Sequence, residues 1–190
     1  MSNPIKTDRA VTVLILTMLL SSVFVYCSGT PADQSNKSRT EKISDFERLL
    51  TVDDVIAIGW KKGKTYDVEG LEGADSAFMG FWELSGVGLL NYEVRIYPSH
   101  ADAVDLGIKF AENASGVDAA LNVDDALWDE GVRDRRIIVG GGSRGSQNPR
   151  YGDYVIVGNM VILCEGRTPE HSLDQCAPFV AKLKSEGMHN

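Results

Sequence analysis

Two arginines near a glycine-rich stretch, Arg144 and Arg150, are the side chains of this sequence best placed to contact an anionic ligand. Residues 140–145 read GGGSRG, and Arg150 follows after a short polar segment. Backbone N–H groups of glycine-rich loops can hold phosphate. The phosphate-loop motif also requires a Lys-Ser/Thr pair that opens a helix, and no such pair follows here. The sequence therefore leaves two interpretations, a hairpin loop and a ligand contact that uses Arg144 and Arg150.

Histidines and carboxylates do not show the spacing of a metal site. None of His100, His171 and His189 belongs to an H-x-x-x-H or H-E-x-x-H motif. The acidic pairs at residues 124–125 and 129–130 lack the alternating ligands and the turn glycine of a calcium loop. We expect surface histidines, a solvated acidic loop, and neither a metal nor a cofactor.

Nucleophilic catalysis has no recognisable motif in this sequence. The G-x-S-x-G pattern is absent, and Ser85 and Ser143 each stand in only part of it. His171 and Cys176 lie five residues apart, but Cys176 is predicted to point into the core. We therefore expect no catalytic residues and lean towards a protein that is not an enzyme.

Cys164 and Cys176 are predicted to form a disulfide bond. Cys164 ends an apolar, strand-like run, and Cys176 lies in a predicted helix after a short connection. A strand and the helix that packs on it can bring two Cα atoms within the roughly 4.4–6.8 Å that the bond requires. The alternative is a pair of buried, reduced thiols. A redox-active pair is not expected, because no C-x-x-C motif is present.

Strand and helix patterns alternate between residues 43 and 190 in the manner of a single α+β domain. Residues 114–134 are polar and predict a loop with one short helical turn, and residues 140–152 predict a long turn. The predicted strands are 64–68, 77–84, 90–97, 135–139, 153–157 and 159–164, and the predicted helices are 43–58, 99–113 and 169–186.

Local signals mark the ends and the breaks of the predicted helices. Thr51 followed by Asp54 fits a helix cap and would divide the helix at 43–58. Ser99 suits the N-cap of the next helix, with Asp102 three residues on. Pro178 lies inside the last helix and is expected to kink or split it, because proline removes a backbone hydrogen bond.

The strand at 90–97 alternates in the way that is typical of a half-buried antiparallel strand. One face carries Tyr92, Val94 and Ile96, and the other carries Glu93 and Arg95. This strand and the one at 159–164 are each followed by a proline-containing link and a helix. We predict an antiparallel sheet of about five to six strands with two to three helices packed on it. Two related β-then-α halves would explain the repeated order, although strand-then-helix is also a common order in unrelated segments.

The N-terminal residues have the order of an export signal. Residues 1–9 are polar with Lys6 and Arg9, and residues 10–26 contain no charge. Residues 28–42 are rich in Ser, Thr and small polar residues, a composition that does not bury enough apolar surface to order itself. We therefore divide the chain into a signal or anchor segment at 1–27, a flexible tether at 28–42 and a domain at 43–190.

An apolar segment, a cysteine and a hydrophilic tether resemble the export signal of a bacterial lipoprotein, over about the first 40 residues. The resemblance implies that Cys27 becomes the first mature residue and carries the lipid. Tyr26 departs from it, because a small residue usually precedes the cysteine. An uncleaved anchor and ordinary cleavage near Gly29 remain as alternatives. All three place residues 43–190 outside the cytoplasm, where an oxidising environment favours the Cys164–Cys176 bond.

The charge of the chain limits its partners. Beyond residue 27, 17 basic and 26 acidic residues give a net charge of −9, which repels phosphate backbones. We expect no nucleic-acid partner, a membrane contact through the N-terminus, and a small ligand or an envelope protein as the binding partner. The sequence therefore predicts an exported, membrane-tethered binding module, with an extracytoplasmic enzyme and a structural envelope protein as the alternatives.

Overall fold

The computed structural model describes residues 41–140 and 145–187. Within them, six strands form one mixed sheet, two further strands form a separate ribbon, and four α-helices surround the sheet. The strands are β1 (Ile43–Ser44), β2 (Lys61–Tyr66), β3 (Ser76–Leu84), β4 (Gly88–Ile96), β5 (Arg136–Val139), β6 (Ser146–Pro149), β7 (Tyr151–Val157) and β8 (Met160–Glu165), and the helices are α1 (Val52–Ala57), α2 (His100–Asp105), α3 (Gly107–Ala114) and α4 (Pro169–Gly187).

The main sheet has the strand order β1-β7-β8-β4-β3-β2, and β5 pairs only with β6. Every pair in the main sheet is antiparallel except β1 with β7, which is parallel and makes the sheet mixed. The predicted α+β class is confirmed. Exposed lysines cover the edge strand β2, which discourages pairing with another chain.

The first face of the sheet packs against α1 and α4. Tyr92 of β4 stacks on Phe179 of α4 with ring centroids 4.6 Å apart, and Trp82 of β3 contacts both rings edge to face. Cys164 and Cys176 form a disulfide bond between β8 and α4, with a Cα–Cα distance of 5.7 Å. The predicted bond is therefore present, and it joins a strand to the helix packed on it.

The second face of the sheet packs against α2 and α3 and against the segment 115–135. Tyr97, Val161 and Leu163 meet the small residues of the two helices. Gly107 at the start of α3 permits this approach, because a Cβ there would lie 2.9 Å from Val161 and 3.0 Å from Tyr97. The helices of the two β-then-α units thus lie on opposite faces of the sheet.

The predicted helix at 43–58 is wrong over its first half. Ile43–Ser44 forms β1, because the backbone of Lys42 and Ser44 hydrogen-bonds to the open edge of β7. Only Val52–Ala57 is helical. The predicted cap is confirmed, since the Thr51 N–H donates to Asp54 Oδ2 at 2.7 Å.

The structure differs in detail from three other local predictions. The helix predicted at 99–113 begins as expected, with the Asp102 N–H donating to Ser99 Oγ at 3.0 Å, but it divides at Leu106 into α2 and α3. The last helix is not split, and α4 continues through Pro178. Residues 146–149, predicted as part of a turn, form β6 through backbone pairing with β5.

Candidate functional site

A groove of about 680 Å³ lies between the β5–β6 ribbon and the N-terminal end of α4. This volume is within the range of roughly 300–1,000 Å³ that is usual for small-molecule sites. The loop after α3 and the link between β8 and α4 complete the walls. The lining residues are Gly116, Val117, Leu121, Ile137, Val139, Gln147, Asn148, Pro149, Gly152, Gly166, Arg167, Thr168 and Pro169.

The ribbon supplies an apolar wall to this groove. Successive side chains of a strand point to opposite sides, and Ile137 and Val139 line the groove while Ile138 does not. Ile138 is 71% exposed, on the other side of the ribbon. Val117 and Leu121 extend the apolar surface on the far wall. The groove therefore suits a ligand with an apolar body.

The opposite wall is built by close backbone packing at the start of α4. A Cβ at Gly152 would lie 2.5 Å from the Thr168 carbonyl oxygen, and one at Gly166 would lie 2.6 Å from the Ser172 nitrogen. Ser172 Oγ accepts from the Asp153 N–H at 3.0 Å and donates to the Cys164 carbonyl. Glycines at these two positions thus let the link and the helix end approach β7.

The charged residue that lines the groove, Arg167, stands at this helix end, and Glu170 follows in the first turn of α4. Arg167 is exposed and lines the groove directly before α4, and the first N–H groups of a helix carry a partial positive charge. The Thr168 hydroxyl occupies one of those groups by accepting from the His171 N–H at 3.2 Å. The groove thus combines apolar walls with one cationic end, in a chain that is acidic overall.

A buried charge cluster, Glu93 with Arg95 and Arg135, fixes the base of the ribbon. Arg135 directly precedes β5, and its Nε donates to Glu93 Oε2 at 3.0 Å. Arg135 also donates to two carbonyl oxygens of its own loop, those of Trp128 at 3.1 Å and Glu130 at 2.6 Å. Because Glu93 lies in a central strand of the sheet, this contact anchors the loop and the ribbon to the core.

Glu93 and Arg95 are completely buried, at 0% exposure. The expectation of a half-buried strand at 90–97 is therefore wrong for this face. The segment 115–135 covers it, with the Trp128 ring 5.2 Å from the Arg95 guanidinium carbon and 4.5 Å from that of Arg135. Burial alone would raise the pKa of Glu93, but the charges of Arg135 and Arg95 outweigh it and lower that pKa below its ordinary value. Burial lowers the pKa of Arg95.

Arg150, a candidate ligand contact from the sequence, supports the ribbon in this structure. Its Nε donates to the Asp134 carbonyl at 2.7 Å, and its backbone N–H donates to the Arg135 carbonyl at 2.8 Å. It does not line the groove described above. The other candidate, Arg144, lies outside the described residues, and so does Cys27. Among the described residues, no helix has the length and hydropathy of a membrane span.

The histidines and the acidic loop occupy separate places. His100 Nδ1 lies 2.7 Å from the Gly158 carbonyl oxygen, and His171 Nε2 lies 3.0 Å from Gln175 Nε2. The acidic residues 129–130 line a second pocket of about 510 Å³ beside Tyr66. Within residues 41–140 and 145–187, no three His, Cys, Asp or Glu side chains are grouped so that they could hold a metal ion.

Sequence reasoning missed the groove because its walls come from four separate segments. The alternation of Ile137 and Val139 was a usable signal, but the partner strand reads Ser-Gln-Asn-Pro and has no strand pattern. The buried charge cluster also had a signal, since Glu93 and Arg95 stand inside an apolar run. The sequence does not show that Arg135 and Trp128 lie beside these residues, so their alternation with apolar residues favours a solvated face.

The fold and the groove define a small α+β domain with a site of ligand-binding dimensions beside an anchored ribbon. The family model described as "Family of unknown function (DUF6810)" matches residues 51–185, and the chain belongs to this family. The matched part runs from the cap of α1 almost to the end of α4. Comparison with curated proteins gave no match, and comparison with solved structures gave none either.

Proposed function

We propose that this chain is a membrane-tethered, extracytoplasmic module that binds a small ligand with an apolar body and an anionic end. The observation that carries the proposal is the groove of about 680 Å³, with apolar walls and Arg167 at the start of α4. Sites for small molecules are usually concave and mostly apolar, with a few polar groups that fix the orientation of the ligand. The groove has this composition.

Charge supports an anionic rather than a cationic end for the ligand. Arg167 offers a guanidinium at the helix end, which favours carboxylate, sulfonate or phosphate groups. The overall negative charge of the chain would otherwise repel anions. We therefore expect the apolar walls to contribute most of the binding free energy. Arg167 would orient the ligand by binding its anionic end.

The N-terminal segment supports the tethered location. A charge-free run at residues 10–26 and the following cysteine resemble a lipoprotein signal, and residues 28–42 suit a polar tether. Lys42 and Ser44 are already bound to the edge of β7, so the tether would end where the folded domain begins. In this proposal the lipid holds the domain at the membrane, and the domain binds its ligand without chemical conversion.

The groove proposal predicts how an amphiphilic dye binds. Anilinonaphthalene sulfonate has an apolar ring system and one sulfonate, and we expect it to bind the native protein in the groove. Ile137→Asp places a charge on the apolar wall and is expected to weaken dye binding about tenfold, the equivalent of burying one aliphatic side chain less well. The measurement is a fluorescence titration, with unfolding curves to confirm that the variant is folded.

Ile138→Asp is the matched control, because Ile138 is the adjacent residue on the opposite side of the ribbon. Dye binding to this variant should equal that of the wild type. Arg167→Gln removes the cationic end and should weaken sulfonate binding while an uncharged naphthalene derivative still binds. Equal loss for Ile137→Asp and Ile138→Asp would contradict a binding site in the groove.

Lipidation at Cys27 can be tested in cells that export the chain. Labelled palmitate should be incorporated into the wild-type protein and into Ser28→Ala, and both should sediment with membranes. Cys27→Ala should lose the label. The mass of the intact wild-type chain shows whether residues 1–27 are kept. A product that keeps them and lacks lipid would mean that an uncleaved segment, and not a lipid, anchors the protein. A product that begins near Gly29 would keep the polar segment but would have no membrane anchor.

A further inference from the structure

The buried charge cluster contains more hydrogen-bond donors than its carboxylate can accept. Glu93 is approached by four nitrogen atoms, Nε and Nη2 of Arg95 and Nε and Nη2 of Arg135, at 2.7–3.3 Å. Three of these contacts are hydrogen bonds, and a carboxylate has about four lone-pair positions. The two guanidiniums together carry more N–H groups than the carboxylate can accept, so the remaining donors need another acceptor.

Arg95 is the side chain left with unused donors. Its Nη1 has no hydrogen-bond partner among the described residues, although it is buried. Its Nη2 lies 2.7 Å from Glu93 Oε1, but at an angle that is poor for a hydrogen bond. Arg135 differs, because carbonyl oxygens of its own loop accept from its Nη1 and Nη2. The deficit is therefore on the side of the cluster that Arg95 occupies.

Two more buried donors lie beside the same guanidiniums. Within the part of the chain that the structure describes, Tyr97 Oη and Trp128 Nε1 also have no hydrogen-bond partner. Tyr97 follows the end of β4, two residues after Arg95, and the Trp128 ring lies against both guanidiniums. Buried unpaired donors are uncommon in folded proteins, and these belong to side chains next to Arg95.

The net charge of the cluster, like its unpaired donors, indicates that a negative group is missing. Glu93, Arg95 and Arg135 are the completely or almost completely buried charges of this cluster, and together they carry one net positive charge. Arginine stays protonated in proteins, and an uncompensated buried charge is strongly unfavourable. The neighbouring Asp134 and Arg150 are only partly buried and oppose each other in sign. Water could satisfy the donors but would not neutralise the charge.

We propose that the cluster is an internal binding site for one small monovalent anion, held by Arg95 Nη1 and the Tyr97 hydroxyl beside the indole N–H of Trp128. Chloride and formate share the required chemistry, which is one negative charge in a volume close to that of a water molecule. The site is separate from the groove. Its anion would stabilise the segment 115–135, and with it the base of the ribbon.

The test is the chloride dependence of stability at constant ionic strength. The full-length protein, in a nonionic detergent, is unfolded with urea while chloride replaces gluconate, an anion too large for an enclosed site. The ratio of folded to unfolded protein should rise with chloride, by about 100-fold at a concentration 100 times the dissociation constant. Formate in place of chloride shows whether a carboxylate is also accepted. Identical unfolding curves in chloride and gluconate would overturn the proposal.

Tyr97→Phe and Tyr92→Phe form a matched pair for this measurement. Tyr92 lies in β4 and Tyr97 directly follows that strand, but Tyr92 is on the first face, where its hydroxyl donates to the Gln175 carbonyl at 3.0 Å. Tyr97→Phe should bind chloride about tenfold more weakly, because one donor to a charged group is lost. Tyr92→Phe should be less stable in both salts and keep the full chloride effect. Equal chloride effects in the two variants would contradict the assignment.

Bromide, a heavier halide, can show the position of the bound anion directly by its anomalous scattering. Crystals of the full-length protein grown in bromide should show an anomalous peak between Arg95 and Tyr97 and not in Tyr97→Phe. Peaks only at surface lysines would identify an adventitious ion and refute the internal site.

Discussion

Replacing Glu93 by glutamine is expected to lower the free energy of unfolding by about 3–5 kcal/mol, the usual cost of removing one partner from a buried ion pair. Glutamine has nearly the same shape, so the loss comes from charge. Arg95 and Arg135 would remain buried with two positive charges and no carboxylate between them. Urea unfolding followed by tryptophan fluorescence measures the difference.

Glu83→Gln is the matched control. It is the same chemical change on the neighbouring strand β3, at a residue that is exposed. Surface changes of this kind usually alter stability by no more than about 0.5 kcal/mol. If Glu93→Gln were as stable as Glu83→Gln, the buried charge cluster would not hold the segment 115–135. Chloride should partly restore Glu93→Gln if the internal anion site exists, because the anion would then neutralise the larger buried charge.

We also expect Glu93 to make the protein less stable at acidic pH, which gives the plot of stability against pH an acid limb. Its pKa is lower in the folded protein than in the unfolded chain, since the two guanidiniums favour the ionised form more than burial disfavours it. Its contribution is therefore complete above the unfolded pKa and is lost as the pH falls through the folded pKa. Glu93→Gln should lack this acid limb, while Glu83→Gln should keep it. Unfolding measured in urea from neutral to acidic pH tests the difference.

Local sequence signals predicted the elements of this fold well, and tertiary contacts determined what they missed. The cap at Thr51 and the N-cap at Ser99 each depend on a few adjacent residues. The helix predicted at 169–186 is confirmed, since α4 spans Pro169–Gly187 and continues through Pro178. Patterns of this kind can be evaluated without knowing what lies opposite them.

The charge cluster and the groove depend on residues that are distant in sequence. Glu93 and Arg135 are 42 residues apart, and neither position indicates the other. An alternating pattern reports only which residues are polar, so it gives the same result for a solvated face and for a buried ion pair. β6 was missed for a related reason, since backbone pairing with β5 rather than side-chain periodicity defines it. Such contacts become visible only when the chain is folded.

The disulfide between Cys164 and Cys176 is expected to contribute about 3 kcal/mol to stability, the value for a closed loop of this size in the chain-entropy description. The two residues are 12 positions apart and completely buried. Reduction must therefore be carried out on the unfolded protein, with dithiothreitol kept in the refolding buffer. Urea unfolding of the oxidised and the reduced protein gives the contribution directly.

The variant Cys164→Ala with Cys176→Ala separates the bond from the packing of the two side chains. It should be less stable than the oxidised wild type, since it loses the bond and buried volume, but dithiothreitol should not change it. Reduction should also weaken the packing of α4 on the sheet, where Phe179 stacks on Tyr92 of β4, and so shift the tryptophan fluorescence of the native state. If dithiothreitol left the wild type as stable as before, the cysteines would be the buried, reduced thiols that the sequence also allowed. The bond would then no longer favour an oxidising location for the domain.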